Sequence, residues 1–448
     1  MRSEQQARDI VERAVEQARR AGADAADAVY AGGRSSAVQV RMGELEDVHS
    51  SEAESVGIRV FAGQRSATVA TSDFSKDALA ELVGRVIEMA RQAQEDPYAG
   101  LAPEALLAKP PFADLDDWDP VEPDPSALQQ LVLEAEAAAL AVPGITNSSG
   151  SGTSSGASIR AIATSHGFSG ISRSTTHSLS ASVIAGEGSG MQRDHDWHSA
   201  RHAADLDDAR TIGQRAGERA AARLNPVKLK PGPMPVLFEP RVATSLLGHF
   251  GPAIAGSAIA RKSSFLLGKL GERVFAKGID IVDDPFRPRG LRSRAFDAEG
   301  LEVRRTALVQ DGVLKSWIAE AASARQLGIE PTGHAARGVN GAPGAGPSNM
   351  FLAAGSRSVE EMIAAHSRLM VVTELIGQGA NPVTGDYSRG ASGFLYENGE
   401  RIGPVGEITV ASNLLDMFAS LEPASDLEFR RGVDSPSILV PEMMIGSA

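Results

Sequence analysis

The sequence predicts a multi-domain α+β protein. Three observations carry that reading. Helical periodicity is confined to short segments at the borders of each unit. Period-two alternation fills the space between them and dominates the second half of the chain. Proline-rich breaks at 97–125 and 225–233 divide the 448 residues into three units.

The first unit, 1–95, reads as a helix, a β-meander and a second helix. Ser3 is placed to cap a helix whose apolar residues Ile10, Val11, Ala14, Val15 and Ala18 recur at helical spacing before Gly22. Strands are then expected at Ala28–Tyr30, Ala37–Arg41, Ser55–Phe61 and Ala67–Ala70, with turns at Gly32-Gly33, Gly43 and Gly63-Gln64. The second helix, about Ser75–Gln94, carries Leu79, Leu82, Val83, Val86, Ile87 and Ala90 on one face. Residues 96–125 follow as a Pro/Asp-rich linker or ordered wrap, holding seven of the 24 prolines. Such a stretch continues neither a helix nor a ladder. The middle α+β domain, 126–228, places Ser/Gly/Thr-rich strands (144–156, 157–166, 170–184, 188–197) between helices at 126–141 and 207–224. The last unit, 229–448, is β-rich. Its expected helices lie at Pro240–Ala260 and Ala411–Ala419, among strands such as Leu369–Ile376, Gly393–Glu397 and Arg401–Val410.

Composition narrows the function. A net charge of -13 argues against a general nucleic-acid surface. The charged N-terminus lacks the apolar core of a secretory signal, and no apolar run approaches membrane-spanning length. A cytoplasmic protein is the expectation. The chain has no cysteine, which removes disulfides, thiolate metal sites and cysteine nucleophiles together.

Four segments carry residue types suited to chemistry. Gly152-Thr153-Ser154-Ser155-Gly156 fits G-x-S-x-G, but a strand follows where a nucleophile elbow needs a helix. Gly256–Ser263 resembles a phosphate loop, but Arg261 replaces the second glycine. Arg261 and Lys262 could still grip a carboxylate or a partner near a helix C-terminus. Asp194, His195, His198 and His202 form the densest set of ligand-type side chains, and offer an alternative metal site. In Leu246–Ile254, His249 stands where a helical metallopeptidase places its first ligand. Phe250 and Ile254 then continue the apolar stripe of Leu246 and Leu247, so the segment reads locally as a packed core turn.

Longer stretches carry a resemblance. They are Gly190–Asp194, Leu247–Phe250, Arg261–Leu266, Asn340–Ala342, Gly344–Asn349, and above all Glu374–Glu407 with Gly385-Asp386-Tyr387-Ser388-Arg389-Gly390. In these the chain resembles the TldD/PmbA family of metallopeptidase-like proteins, in its PmbA (TldE) branch. The TldD branch holds zinc with H-E-x-x-x-H and a downstream cysteine. Here His249 matches the first His, while Phe250 and Ile254 stand at the Glu and second His positions. The resemblance implies a multi-domain α+β fold with an enclosed cavity. It also implies a chain with no catalytic residue and no zinc of its own. Such a chain pairs with a zinc-bearing TldD-type subunit that cuts unfolded or small peptides. Asn381, Asp386 and Arg389 join Arg261 and Lys262 as candidate cavity, peptide or partner contacts. Two other readings stand beside it: a scaffold or peptide-binding homodimer, and an independent metal-dependent hydrolase using Asp194, His198 and His202.

Overall fold

The structure, a computed structural model, describes residues 1–447. Ser3 caps α1 (Glu4–Arg20) in a reciprocal box with Gln6, and the expected apolar stripe is its buried face. β1 (Ala25–Arg41), β2 (Glu44–Ala62), β3 (Arg65–Thr71) and α2 (Lys76–Gln92) complete the first unit. Gly32-Gly33 is not the expected turn. β1 runs straight through it, paired to β2 on one side and later to β4 on the other. The glycine serves a close approach instead, because a Cβ at Gly32 would overlap the Tyr30 hydroxyl. The middle unit holds α3 (Pro125–Leu140), β4 (Ile145–Thr164), β5 (Ser169–Ala185), β6 (Gln192–Ala200) and α4 (Ala209–Ala222). The two short strands expected at 144–166 are one strand, β4, because β1 and β5 bond it continuously across Gly156-Ala157.

The first two units build a single antiparallel sheet in the order β3-β2-β1-β4-β5-β6. Period two in β1 sorts its faces. Ala26, Ala28 and Tyr30 pack toward α1 and α2, and Val38 and Val40 toward α3 and α4. Val29 points the other way, into a cluster with Ala102, Leu107, Phe168, Phe296 and Leu301. That cluster explains residues 96–125. They form an ordered wrap that sews the sheet to the last unit. Leu106 and Ala108 exchange backbone hydrogen bonds with Glu302 and Gly300, and the Arg325 guanidinium donates to the carbonyls of Tyr98, Gly100 and Leu101.

In the last unit, β7 (Gly232–Phe238) lies between the strands Arg368–Ile376 and Ile438–Ser447. The strands Asp386–Glu397 and Glu400–Asn413 extend this sheet, and pairing of 408–411 with 444–447 closes it on itself. A separate five-stranded sheet includes Ile281–Asp284, Thr306–Gln310 and Asn349–Leu352. The largest hydrophobic cluster lies in this unit and includes Phe250, Phe275 and Phe418.

A buried charge cluster fastens the last unit to the sheet. Asp27 of β1 accepts from Arg59 Nε at 2.9 Å and from Arg337 Nη1 at 2.5 Å. Glu299 lies 3.7 Å from Arg59 and accepts from the Ala321 N–H. Burial pushes the Glu299 carboxyl up to about 7, with Arg59 pulling against it. A group raised in this way stabilises the fold most below its unfolded pKa, and that contribution is lost as pH rises through about 7. Glu299→Gln should therefore flatten the fall in stability between about pH 5 and 8. Urea midpoints at several pH values would show it, and a parallel profile for parent and variant would contradict it.

Candidate functional site

The metallopeptidase-like segment lies on α5 (Pro240–Ala253) and the turn after it. Pro240 opens the helix at a position where its missing N–H is no loss. The single helix expected over 240–260 is two. Pro252 offers no N–H to the ladder, and Ile254 ends α5 with its N–H on the Phe250 carbonyl at 3.1 Å. Ala255 is extended and bridges to Ile318 before α6 (Gly256–Ala260) starts afresh.

Phe250 and Ile254 are both 0% exposed. The Phe250 ring meets Phe275 edge-on at 5.4 Å, and Phe275 stacks on Phe418 at 4.4 Å. These are core side chains, in the arrangement aromatic quadrupoles prefer. His249 faces away from that core. Its ring lies edge-on to Tyr387 at 5.9 Å, and its buried Nε2 has no hydrogen-bond partner. Burial, reinforced by the positive charge of Arg389, holds the imidazole below its usual range, so it is neutral at physiological pH. Tyr387 is buried too, and its phenol is pushed up to about 12.

These residues do not fit zinc. A catalytic zinc needs three protein ligands and a nearby base. His249 is one nitrogen donor, its neighbours in the motif are apolar and sealed in the core, and the chain has no thiolate. Among the described residues no group of three His, Cys, Asp or Glu side chains is placed to hold a metal.

Beside His249 lies a cavity of about 610 Å³, lined mainly by apolar groups such as Leu247, Pro252, Phe265, Pro347, Met350 and Val433. Its ionisable lining residues are His249, Arg261 and Arg292. The expected contacts divide around it. Arg261 lines it, and Arg389 acts on His249 from the strand of Tyr387. Lys262 is exposed, in the left-handed backbone that follows α6. Asn381 and Asp386 shape the loop at its edge. Asn381 Oδ1 accepts from the N–H groups of Val383 and Thr384, and Asp386 accepts from the Thr384 hydroxyl at 2.7 Å. Their neighbours Ala380 and Pro382 supply the lining.

The Asp194–His202 set is elsewhere and is not gathered. β6 runs through it to Ala200, so His198 and His202 do not share a helical face. Arg241 grips Asp194 with two bonds of 2.6 and 2.9 Å, and Arg223 adds a third. His198 Nδ1 accepts from the Asp207 N–H, His202 Nε2 lies on the Asp116 carbonyl, and the His195 side chain is 55% exposed. Each side chain answers to a different neighbour, and the acid is committed to arginine. Likewise Ser154 makes a hydroxyl pair with Ser178 at 2.7 Å within the sheet. Sequence reasoning assigned no role to Tyr387 or Arg292. Tyr387 stands within the Gly385–Gly390 motif, whereas Arg292 sits in a stretch without periodicity that offered no signal.

Comparison with known proteins settles the family. Residues 231–447 match the PmbA/TldA metallopeptidase C-terminal domain, 118–224 its central domain and 26–90 its domain 1. The chain belongs to the PmbA branch of the TldD/PmbA family of metallopeptidase-like proteins. It is 39% identical over 410 residues to Metalloprotease PmbA of Escherichia coli O157:H7, covering 91% of this chain and 89% of that one. It is 36% identical over 445 residues to the Metalloprotease PmbA homolog of Haemophilus influenzae, covering 99% and 96%. The crystal structure of TldE from Thermococcus kodakarensis superposes with a TM-score of 0.86 at 21% identity, over 97% of this chain and 99% of that one. Its mixed α+β, multi-domain fold is the one the sequence predicts. Among the described residues no helix is long and apolar enough to cross a membrane.

Proposed function

We propose that this PmbA-branch chain is the non-catalytic subunit of a cytoplasmic TldD-type metallopeptidase complex that degrades or processes unfolded or small peptides. The observation that carries the reading is the fate of the motif. Its general-base position holds Phe250 and its second-ligand position Ile254, both wholly inside the hydrophobic core. Neither side chain can be turned toward a metal without opening that core. Zinc and the general base then belong to the partner subunit. This chain supplies a wall of the shared cavity, with His249 and the apolar space beside it retained for contact and not for bond cleavage.

The test is reconstitution. The chain alone should not cleave an unfolded peptide, and adding a chain with intact H-E-x-x-x-H should give cleavage that exceeds that chain's own rate. Zinc-dependent cleavage by the lone chain, or failure of the two to associate, would overturn the proposal.

A further inference from the structure

We infer that the cavity beside His249 binds the C-terminal carboxylate end of a peptide whose last residues are apolar. The inference rests on the peptide-handling role proposed above and names the part of the peptide that this chain reads.

Charge is the first argument. The whole chain carries -13, yet no Asp or Glu lines this cavity. Arg261 and Arg292 do, and neither pairs with a carboxylate among the described residues. Most other arginines pair with a carboxylate among the described residues, and two that do not, at one apolar mouth, leave a local positive field. His249, held neutral, adds no charge but offers a ring without a hydrogen-bond partner. Such a site attracts one anion and rejects a chain of acids, since the space beyond the arginines is apolar.

Placement is the second argument. Arg292 is exposed, like Arg261, but its course over the surface is set by two contacts. Its stem lies on Gly432, where any Cβ would overlap it, and its N–H bonds Asn349 Oδ1 at 3.0 Å. Arg261 stands at the end of α6, where its backbone N–H donates to the Ser257 carbonyl at 3.1 Å. Both arginines line the same cavity as the apolar Leu247, Phe265 and Met350. A carboxylate takes paired N–H donors from guanidinium, while a neutral amide end loses the charge-assisted part of that bond. The side chains before it find the apolar walls.

Fluorescence anisotropy with the isolated chain tests this without zinc or partner, so its outcome is independent of whether the complex cleaves. The probes are one labelled hexapeptide ending in Leu-Phe, as the free acid and as the C-terminal amide, and a free acid ending in Ser-Gly. The Leu-Phe acid should bind about tenfold tighter than its amide at low salt, and tighter than the Ser-Gly acid. Arg261→Gln with Arg292→Gln should erase the acid-over-amide advantage while the circular dichroism stays that of the parent. Arg292→Gln alone should reduce that advantage, and Gly432→Val, which displaces the Arg292 stem, should reduce it likewise. Equal binding of acid and amide, no binding of either, or an advantage that survives the double variant would each overturn the inference.

Discussion

A chain carrying Phe250→Glu should be about 3–5 kcal/mol less stable than its parent, and it should gain no zinc. Two losses add at this position. The ring's edge contacts with Phe275 and Phe418 disappear, and a carboxylate enters a site that is 0% exposed. The cluster it would enter is built of hydrophobic side chains. The new carboxyl relieves itself by taking up a proton, which makes the loss larger at high pH than at low pH. Phe250→Leu should lose less, because it keeps the apolar volume near that of the parent. Urea midpoints at pH 5 and 8 measure both variants. Adding Ile254→His to Phe250→Glu should still give neither zinc nor cleavage, because the thiolate is missing from the whole chain. A stable Phe250→Glu chain would mean that this position is not a core position.

Asp27→Ala should cost a similar amount, about 3–5 kcal/mol, by a different route. Burial works against the Asp27 charge, but Arg59 and Arg337 together outweigh it and hold the carboxyl below the usual Asp range. Removing that carboxyl leaves two guanidiniums side by side, at 7% and 1% side-chain exposure, with Glu299 as the remaining carboxylate paired to Arg59 among the described residues. Arg337 belongs to the last unit and Asp27 to the first sheet, so the loss falls on their junction. The sign with pH is opposite to that of Glu299. A depressed carboxyl stabilises the fold above its unfolded pKa, and the contribution is lost as pH falls through its folded value. The gap between parent and Asp27→Ala should therefore be full at pH 7 and shrink in the acid range. An unchanged urea midpoint at pH 7 would show that the cluster contributes nothing to holding the units together.

What the sequence made legible follows from the range of the interactions involved. α1 and α2 were readable because caps and apolar stripes are local. Ser3, Ser75 and the buried faces of both helices stand where the period placed them. Strand lengths were not. Gly32-Gly33 and Gly156 look like punctuation locally, but bonds from strands more than a hundred residues away hold them extended. The same holds for the joined sheet, since nothing within 25–41 announces β4 as its neighbour. At the site, Phe250, Ile254 and the missing cysteine were visible as departures from the zinc motif. The cavity was not, because Arg261, Arg292 and His249 meet only in the fold. The Asp194–His202 set misled for the complementary reason. Dense ligand-type residues in a row signal a metal only if their side chains converge, and on a strand they diverge toward separate partners.

The position of the zinc decides whether this chain cuts or assists. The most direct measurement is the zinc content of the purified complex with a TldD-type chain, taken for the parent and for His249→Ala. One zinc per complex, unchanged by His249→Ala and absent from this chain alone, is the predicted result. Zinc bound stoichiometrically by the lone chain, or lost from the complex when His249 is replaced, would contradict it.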